Sequence, residues 1–384
     1  MATRTTTGKA AIEPVVIGDH DIAAQLVQAL ADTEPVQRAT HGFHTYPAGL
    51  HPDAARRVVA LVPGRSVLDP FCGGGTVLVE ALLQGRQAVG RDISPVALRV
   101  SRGRTAVLPA DVVSRFRAAG RRLSDASKGA MAPPPEPIYH AVQDWYHPHV
   151  LCELESLRAG IAASDLDIRP LLELAFSAVL VKSSFRKADT SAQRVRTDRP
   201  RGTTSILFHK KTRELGRMLD ALREAVPPGT PPADIRYGDA REIRVSEPVD
   251  AVVTSPPYPS TYDYVPLQHL RLVWLGESRA LEAGAPEIGA RRQWRDGTRD
   301  ARRRWADDTT RWMRSATAAL ASGGHFAIAI GDGLHPAGGV DASEPTSLAA
   351  KAAGLVLVAR ASVERPDFAR EQNRWEHLFL YRKP

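Results

Sequence analysis

Two short segments bring together residue types that can do chemistry. Ser255-Pro256-Pro257-Tyr258 ends an apolar run from Val249 to Thr254. A serine hydroxyl and a backbone carbonyl on such a turn both accept hydrogen bonds, and two prolines fix the backbone that holds them. Tyr258 adds a flat face for stacking. The second segment, Asp69-Pro70-Phe71-Cys72-Gly73-Gly74-Gly75-Thr76, follows the apolar run Ser66 to Asp69. Glycines after a strand let a ligand approach the backbone, and a helix opening at Thr76 offers its positive N-terminus. No lysine follows the glycines, so the phosphate-loop pattern is absent. A G-x-G-x-x-G dinucleotide pattern would need glycine where Leu78 stands.

These segments require strands to carry them. Ser66 to Asp69 reads as a buried strand and Thr76 to Leu83 as a helix. Gln87 to Asp92 reads as a second strand, with a helix from Pro95. This βαβ unit implies a parallel sheet. Asp92, at the end of the second strand, stands where a ribose-binding carboxylate is expected in a nucleoside site. Asp239 ends a third strand, Ile235 to Tyr237, and is placed to accept from an adenine amino group. His325 to Ile330 reads as a further strand, and Leu355 to Val363 with His377 to Tyr381 as a terminal hairpin. Taken singly, each of these residues also reads as an ordinary turn or helix cap. Their order at successive strand ends favours a nucleoside site.

Between the two βα regions the pattern becomes helical and basic. Arg115 to Leu123 reads as a basic helix, Val150 to Ala162 and Leu171 to Ser183 carry helical apolar spacing, and a helix resumes near Lys211. The chain therefore divides into an N-terminal arm, residues 1–40, with one helical patch near Ile22 to Leu30. A doubly wound α/β domain follows, residues 41–105 and 233–384, interrupted by a helical insert, residues 106–232.

The 384 residues carry a net charge of +8, with a pI near 9.7, which favours an anionic partner. Two cysteines, Cys72 and Cys152, support neither a disulfide framework nor a zinc site, so no metal is expected. The first residues lack an apolar core for a signal peptide, and the stretch Leu171 to Val181 is short and contains Glu173. A cytoplasmic protein with no membrane partner is expected. Oligomeric state is not legible.

The segments SVLDPFCGGGTVLVEA and VDAVVTSPPY resemble the cofactor and catalytic motifs of the S-adenosylmethionine-dependent amino-methyltransferases of DNA, which are related to the guanine-N2 methylases of tRNA. The segment Phe43 to Val59 is similar to the element that precedes the glycine turn in that family. The resemblance covers roughly residues 43–105 and 233–384. It implies a class I methyltransferase (Rossmann-like) α/β fold and S-adenosylmethionine as cofactor. It implies cofactor contacts from Tyr46, Pro47, Asp69, Phe71, Gly73, Gly75, Thr76, Asp92 and Asp239, with Tyr46 and Pro47 at the methionine end. Ser255, Pro256, Pro257 and Tyr258 would then form the catalytic turn. Ser255 and the Pro256 carbonyl would accept from an exocyclic amine, while Tyr258 stacks the extruded base. Tyr262 and Tyr264 would line the base pocket. Serine at the first position is usual among the cytosine enzymes, so cytosine N4 is favoured over adenine N6. Three rivals stay open: an RNA guanine-N2 methylase, a non-catalytic nucleic-acid-binding protein of the same fold, and a small-molecule methylase.

Two cationic clusters bear on the partner. Lys182 to Arg217 includes Arg194, Arg196, Arg199 and Arg201, read as phosphate contacts. Arg291 to Arg304 is interleaved with Trp294 and Trp305, which could stack bases. A nucleic-acid partner is expected, DNA rather than RNA, because the N-terminal arm is too short for an RNA-capture domain.

Overall fold

The computed structural model describes residues 13–44, 46, 49–191, 193–282, 287–295, 298–335, 338–367 and 372–384. Ten strands are present among them: β1 (Val15–Gly18), β2 (Ser66–Asp69), β3 (Gln87–Asp92), β4 (Asp234–Tyr237), β5 (Val249–Thr254), β6 (Leu320–Gly331), β7 (Gly333–His335), β8 (Gly338–Val340), β9 (Val356–Asp367) and β10 (Gln372–Arg382). Eight of them form one sheet in the order β1-β9-β10-β6-β5-β2-β3-β4, while β7 and β8 pair separately. The stretch from β6 through β5, β2 and β3 to β4 is parallel. Strand β10 runs antiparallel to both β6 and β9. The chain order reverses between β2 and β5, and such a switch point opens a ligand crevice at the carboxyl ends of the strands. Both chemistry-bearing turns leave those ends.

Strands β2 and β5 are apolar and wholly or almost wholly buried, as expected for parallel strands covered on both faces. Helices α1 (His20–Ala31), α2 (Pro52–Leu61) and α3 (Thr76–Leu83) cover one face through Leu26, Val58, Leu78 and Leu82. Helix α4 (Pro95–Arg104) follows β3.

The insert folds as α5 (Ala110–Ser127), α6 (Glu136–Val142), α7 (Pro148–Ala162), α8 (Arg169–Ser183) and α9 (Thr203–Ala225). Its core is not separate. Phe116, Leu154, Phe176 and Leu215 pack in one cluster with Val96 and Val100 of α4. The same cluster takes in Leu270 and Trp274, which lie beyond the Ser255 turn. That stretch holds α10 (Tyr264–Leu267), α11 (His269–Trp274) and α12 (Arg279–Glu282), followed by α13 (Thr298–Ala319) and α14 (Ser343–Ala352). Helices α13 and α14 close the other face of the sheet through Trp312, Met313, Ala349 and Ala350.

Two sequence expectations change. Val15–Gly18, read as part of the arm, pairs antiparallel with Ala359–Ser362 as the edge strand, and Ala23, Leu26, Ala29 and Leu30 of α1 enter the main core. The cluster around Trp294 and Trp305 is not a stacking surface. Trp294 is 1% and Trp305 3% exposed: Trp305 lies on the buried stripe of α13, and Trp294, in the turn before that helix, packs in the same core cluster.

Candidate active site

The glycine turn is built by positive φ at Gly73 (47°) and Gly75 (77°), a region that side chains rarely enter. A Cβ on Gly73 would stand 3.2 Å from the Tyr46 ring, and one on Gly74 2.8 Å from Arg104. Several of the turn's amides are already engaged. Cys72 N–H donates to the Arg91 carbonyl (3.0 Å), Gly75 N–H to the Cys72 carbonyl (2.6 Å) and Gly73 N–H to Asp92 Oδ2 (2.9 Å). The turn is therefore poorly suited to cradling phosphate, and works instead as a thin floor.

Over this floor lies a cleft that opens to solvent. Its wall contains Tyr46, Asp69, Phe71, Gly73, Thr76, Asp92, Asp239, Ser255, Pro257 and Tyr264, drawn from both motifs. Burial pushes the Asp92 carboxyl up to about 6, against the pull of the Ser94 and Gly73 amides that donate to it. Burial pushes Asp69 up to about 7, opposed by donors from Thr254 Oγ1 at 2.6 Å and Phe71 N–H at 3.1 Å. The Thr254 bond links the end of β5, one residue before Ser255, to the start of the glycine turn. Asp239 accepts from both its own helix turn and Arg241, which holds its carboxyl below the usual range although burial opposes this.

Other sequence candidates are placed differently. Tyr258 flanks the cleft without lining it. Its ring sits under the Arg374 guanidinium at 5.3 Å, and Gly331 leaves room for its edge. Tyr262 packs against Tyr264 with ring centroids 5.6 Å apart, and only Tyr264 reaches the wall. Pro256 is buried behind the turn. Pro47 lies outside the described residues. Among the insert arginines, Arg194 lies over the Trp145 ring at 4.2 Å and Arg196 over Phe185 at 5.6 Å. Both are exposed, as is Arg201. Arg199 is half-buried and donates to the Ser184 carbonyl at 3.4 Å, so burial lowers its pKa and it is withdrawn from the surface.

The wall also holds residues that the sequence did not single out, among them Ser94, Gln268, Glu287 and Ile288. The only sequence signal for Gln268 is its place four residues after Tyr264, on the same side of a helical stretch.

The wall's charge decides which group it fits. Four carboxyl groups, Asp69, Asp92, Asp239 and Glu287, stand in it with no lysine or arginine among the described wall residues, Asp239 being paired with Arg241 and Glu287 with Arg292 from outside the wall. A nucleoside carrying a cationic centre suits such a site, whereas a polyphosphate does not. Residues 43–114 match the family model described as UPF0020: RMKL-like, methyltransferase domain. The sheet order is that of the class I S-adenosylmethionine-dependent methyltransferase fold.

Two curated relatives extend the likeness. The Type II methyltransferase M.MvaI of Kocuria varians is 25% identical over 267 residues, 62% of this chain and 57% of that protein. The tRNA (guanine(10)-N2)-dimethyltransferase of Methanothermobacter thermautotrophicus is 37% identical over 86 residues, 21% of this chain and 26% of that protein. The chain thus spans little more than half of the first relative and about a quarter of the second. Among solved structures, the rRNA methyltransferase aviRa of Streptomyces viridochromogenes aligns with a TM-score of 0.37 at 13% identity, covering 95% of this chain and 94% of that one. TrmN from Thermus thermophilus aligns with a TM-score of 0.33 at 14% identity, covering 87% and 48%.

Proposed function

We propose that this chain transfers a methyl group to an exocyclic amine of a DNA base, cytosine N4 in preference to adenine N6. The observation that carries the reading is the shared wall. The glycine turn and Ser255 face one acidic cleft at the switch point and are joined by the Thr254–Asp69 bond. The likeness to M.MvaI, which runs across 62% of the chain, supports the DNA substrate and a restriction-modification setting.

S-adenosylmethionine, when bound, supplies an activated methyl on a sulfonium. In this reading Asp92 accepts from the ribose hydroxyls, Asp239 accepts from the adenine amine, and Tyr46 closes the methionine end over Gly73. Ser255 Oγ and the Pro256 carbonyl accept from the target amine, whose lone pair is otherwise delocalised into the ring. Those bonds strengthen as nitrogen becomes tetrahedral, so they act mainly on the transition state. Tyr264 offers the cleft an aromatic face, with Tyr258 flanking it beneath Arg374. The proton leaves after transfer, so no strong base is required beside Ser255.

A second reading, methylation of a guanine amine in tRNA, is favoured by the 37% identity over 86 residues with the tRNA enzyme. Labelled methyl transfer from S-adenosylmethionine to DNA and to tRNA, followed by nucleoside analysis, separates the two. N4-methylcytosine supports the proposal. N2-methylguanine in tRNA with no label in DNA refutes it.

A further inference from the structure

Gln268 stands between α10 and α11, 1% exposed, in the wall of the cleft. The orientation of its amide is fixed by Arg271, whose Nη1 donates to Gln268 Oε1 at 2.9 Å. Arg271 is itself 2% exposed and donates to the Ser177 carbonyl and to Asp189. A flipped amide would turn N–H groups onto a guanidinium that has only donors of its own. Gln268 Nε2 therefore points away from Arg271. It is buried and has no hydrogen-bond partner among the described residues. Buried amide donors are almost always paired, so an unpaired one on a residue of the cleft wall calls for an acceptor.

The acceptor follows from charge and position. The carboxyl groups of the wall suit the sulfonium and ammonium of S-adenosylmethionine, and no lysine or arginine is among the described wall residues to pair with its carboxylate. The amides of Cys72, Gly73 and Gly75 are spent within the turn. The carboxylate must then rely on neutral donors. Gln268 is linked through Arg271 to the segment that precedes Tyr46. Arg271 Nε reaches the Ser177 carbonyl, and the Ser177 hydroxyl bonds His44 at 2.9 Å, two residues before Tyr46.

We propose that Gln268 Nε2 donates to the carboxylate at the amino-acid end of the cofactor. The proposal rests on the cofactor reading of the cleft and is independent of which base is methylated. Its test is calorimetric titration with S-adenosylhomocysteine and with 5′-methylthioadenosine, which keeps the nucleoside and sulfur but lacks the amino-acid end. Gln268→Leu should bind S-adenosylhomocysteine about 10- to 100-fold more weakly, the scale of a hydrogen bond to a charged group. Its affinity for 5′-methylthioadenosine should be unchanged, which also reports that the cleft is intact. Gln268→Met, close in length, is the second variant should leucine disturb folding, and the same selective loss is expected. Unchanged affinity for S-adenosylhomocysteine overturns the proposal. Equal loss for both ligands also overturns it, because the wall and not the carboxylate contact would then be damaged. A wild-type protein that binds neither compound would instead sink the cofactor reading itself.

Discussion

Cofactor affinity should fall as pH drops below about 6, and Asp92 should carry much of that fall. Burial holds the Asp92 carboxyl at about 6, roughly 2 units above its ordinary value. That shift is worth about 3 kcal/mol in favour of the protonated form. The sign for the ligand-free protein follows from linkage. The stabilising contribution of the protonated carboxyl is full below pH 4 and is lost as pH rises through 6. The sign for binding is opposite. Ribose hydroxyls and a sulfonium cation both require the ionised form, so binding below pH 6 must expel a proton. With a pKa of about 6, Asp92 alone should weaken affinity about tenfold between pH 7 and pH 5, with about 0.9 proton released at pH 5. Titration calorimetry in buffers of different ionisation enthalpy counts that proton. Asp69, held at about 7, adds its own release if it also ionises, so the informative quantity is the difference between wild type and Asp92→Asn. The variant should release about one proton fewer at pH 5. Equal proton counts in the two proteins would show that Asp92 does not ionise against the ligand, and the ribose assignment would fail.

Ser255→Ala should lower single-turnover methyl transfer far more than it weakens DNA or cofactor binding, since its bond forms with the tetrahedral amine; normal single-turnover rates would remove the turn from the chemistry. Neutralising Arg194, Arg196, Arg199 and Arg201 together should flatten the log-log salt dependence of DNA binding by about 0.9 per lost contact. Because Arg199 is turned inward to Ser184, three contacts are expected and not four. Thr254→Val leaves the Asp69 carboxylate without one of its two donors and should cost about 1–3 kcal/mol in urea denaturation at pH 7. The deficit should shrink at pH 5, where Asp69 is protonated; a deficit independent of pH would mean that the bond does not serve the charged form.

The strands that position the site were legible because each is a short apolar run ended by proline, glycine or aspartate. The expected Ser66 to Asp69 and Gln87 to Asp92 coincide with β2 and β3. Strand β1 was not legible. It has four residues, all exposed, so no apolar face marks it, and only the β9 backbone makes it a strand. Helix α13 was misread for a different reason. Arginines crowd its sequence and mask a buried stripe of Ala301, Trp305, Thr309, Trp312 and Ala316, whose spacing is helical. For the candidate site, the residues within each of the two motifs lie close to one another in sequence and could be found together. Gln268 could not, because its significance lies in Arg271, Ser177 and Asp189, which come from two distant parts of the chain.

That same set of contacts bears on how the insert and the cleft relate. Arg186 donates to the Leu267 carbonyl at the end of α10, and Asp189 pairs with Arg271 in α11. The segment from 186 to 189 thus grips the stretch that presents Tyr264 and Gln268 to the cleft. Arg186 also faces Arg194 across an isolated strand bridge, and both guanidinium groups lie over the Trp145 ring. Arg194 is exposed, whereas Arg186 is 8% exposed and bonded inward. A phosphate held at Arg194 would therefore rest on a platform that also braces the helices next to Tyr264 and Gln268. Asp189→Ala separates the two functions of that platform. It removes an inward contact and touches no exposed arginine, so nucleic-acid affinity and its salt slope should persist while cofactor affinity weakens through a loosened Arg271 and Gln268. Loss of nucleic-acid affinity with unchanged cofactor affinity would mean that the grip serves the outer face alone.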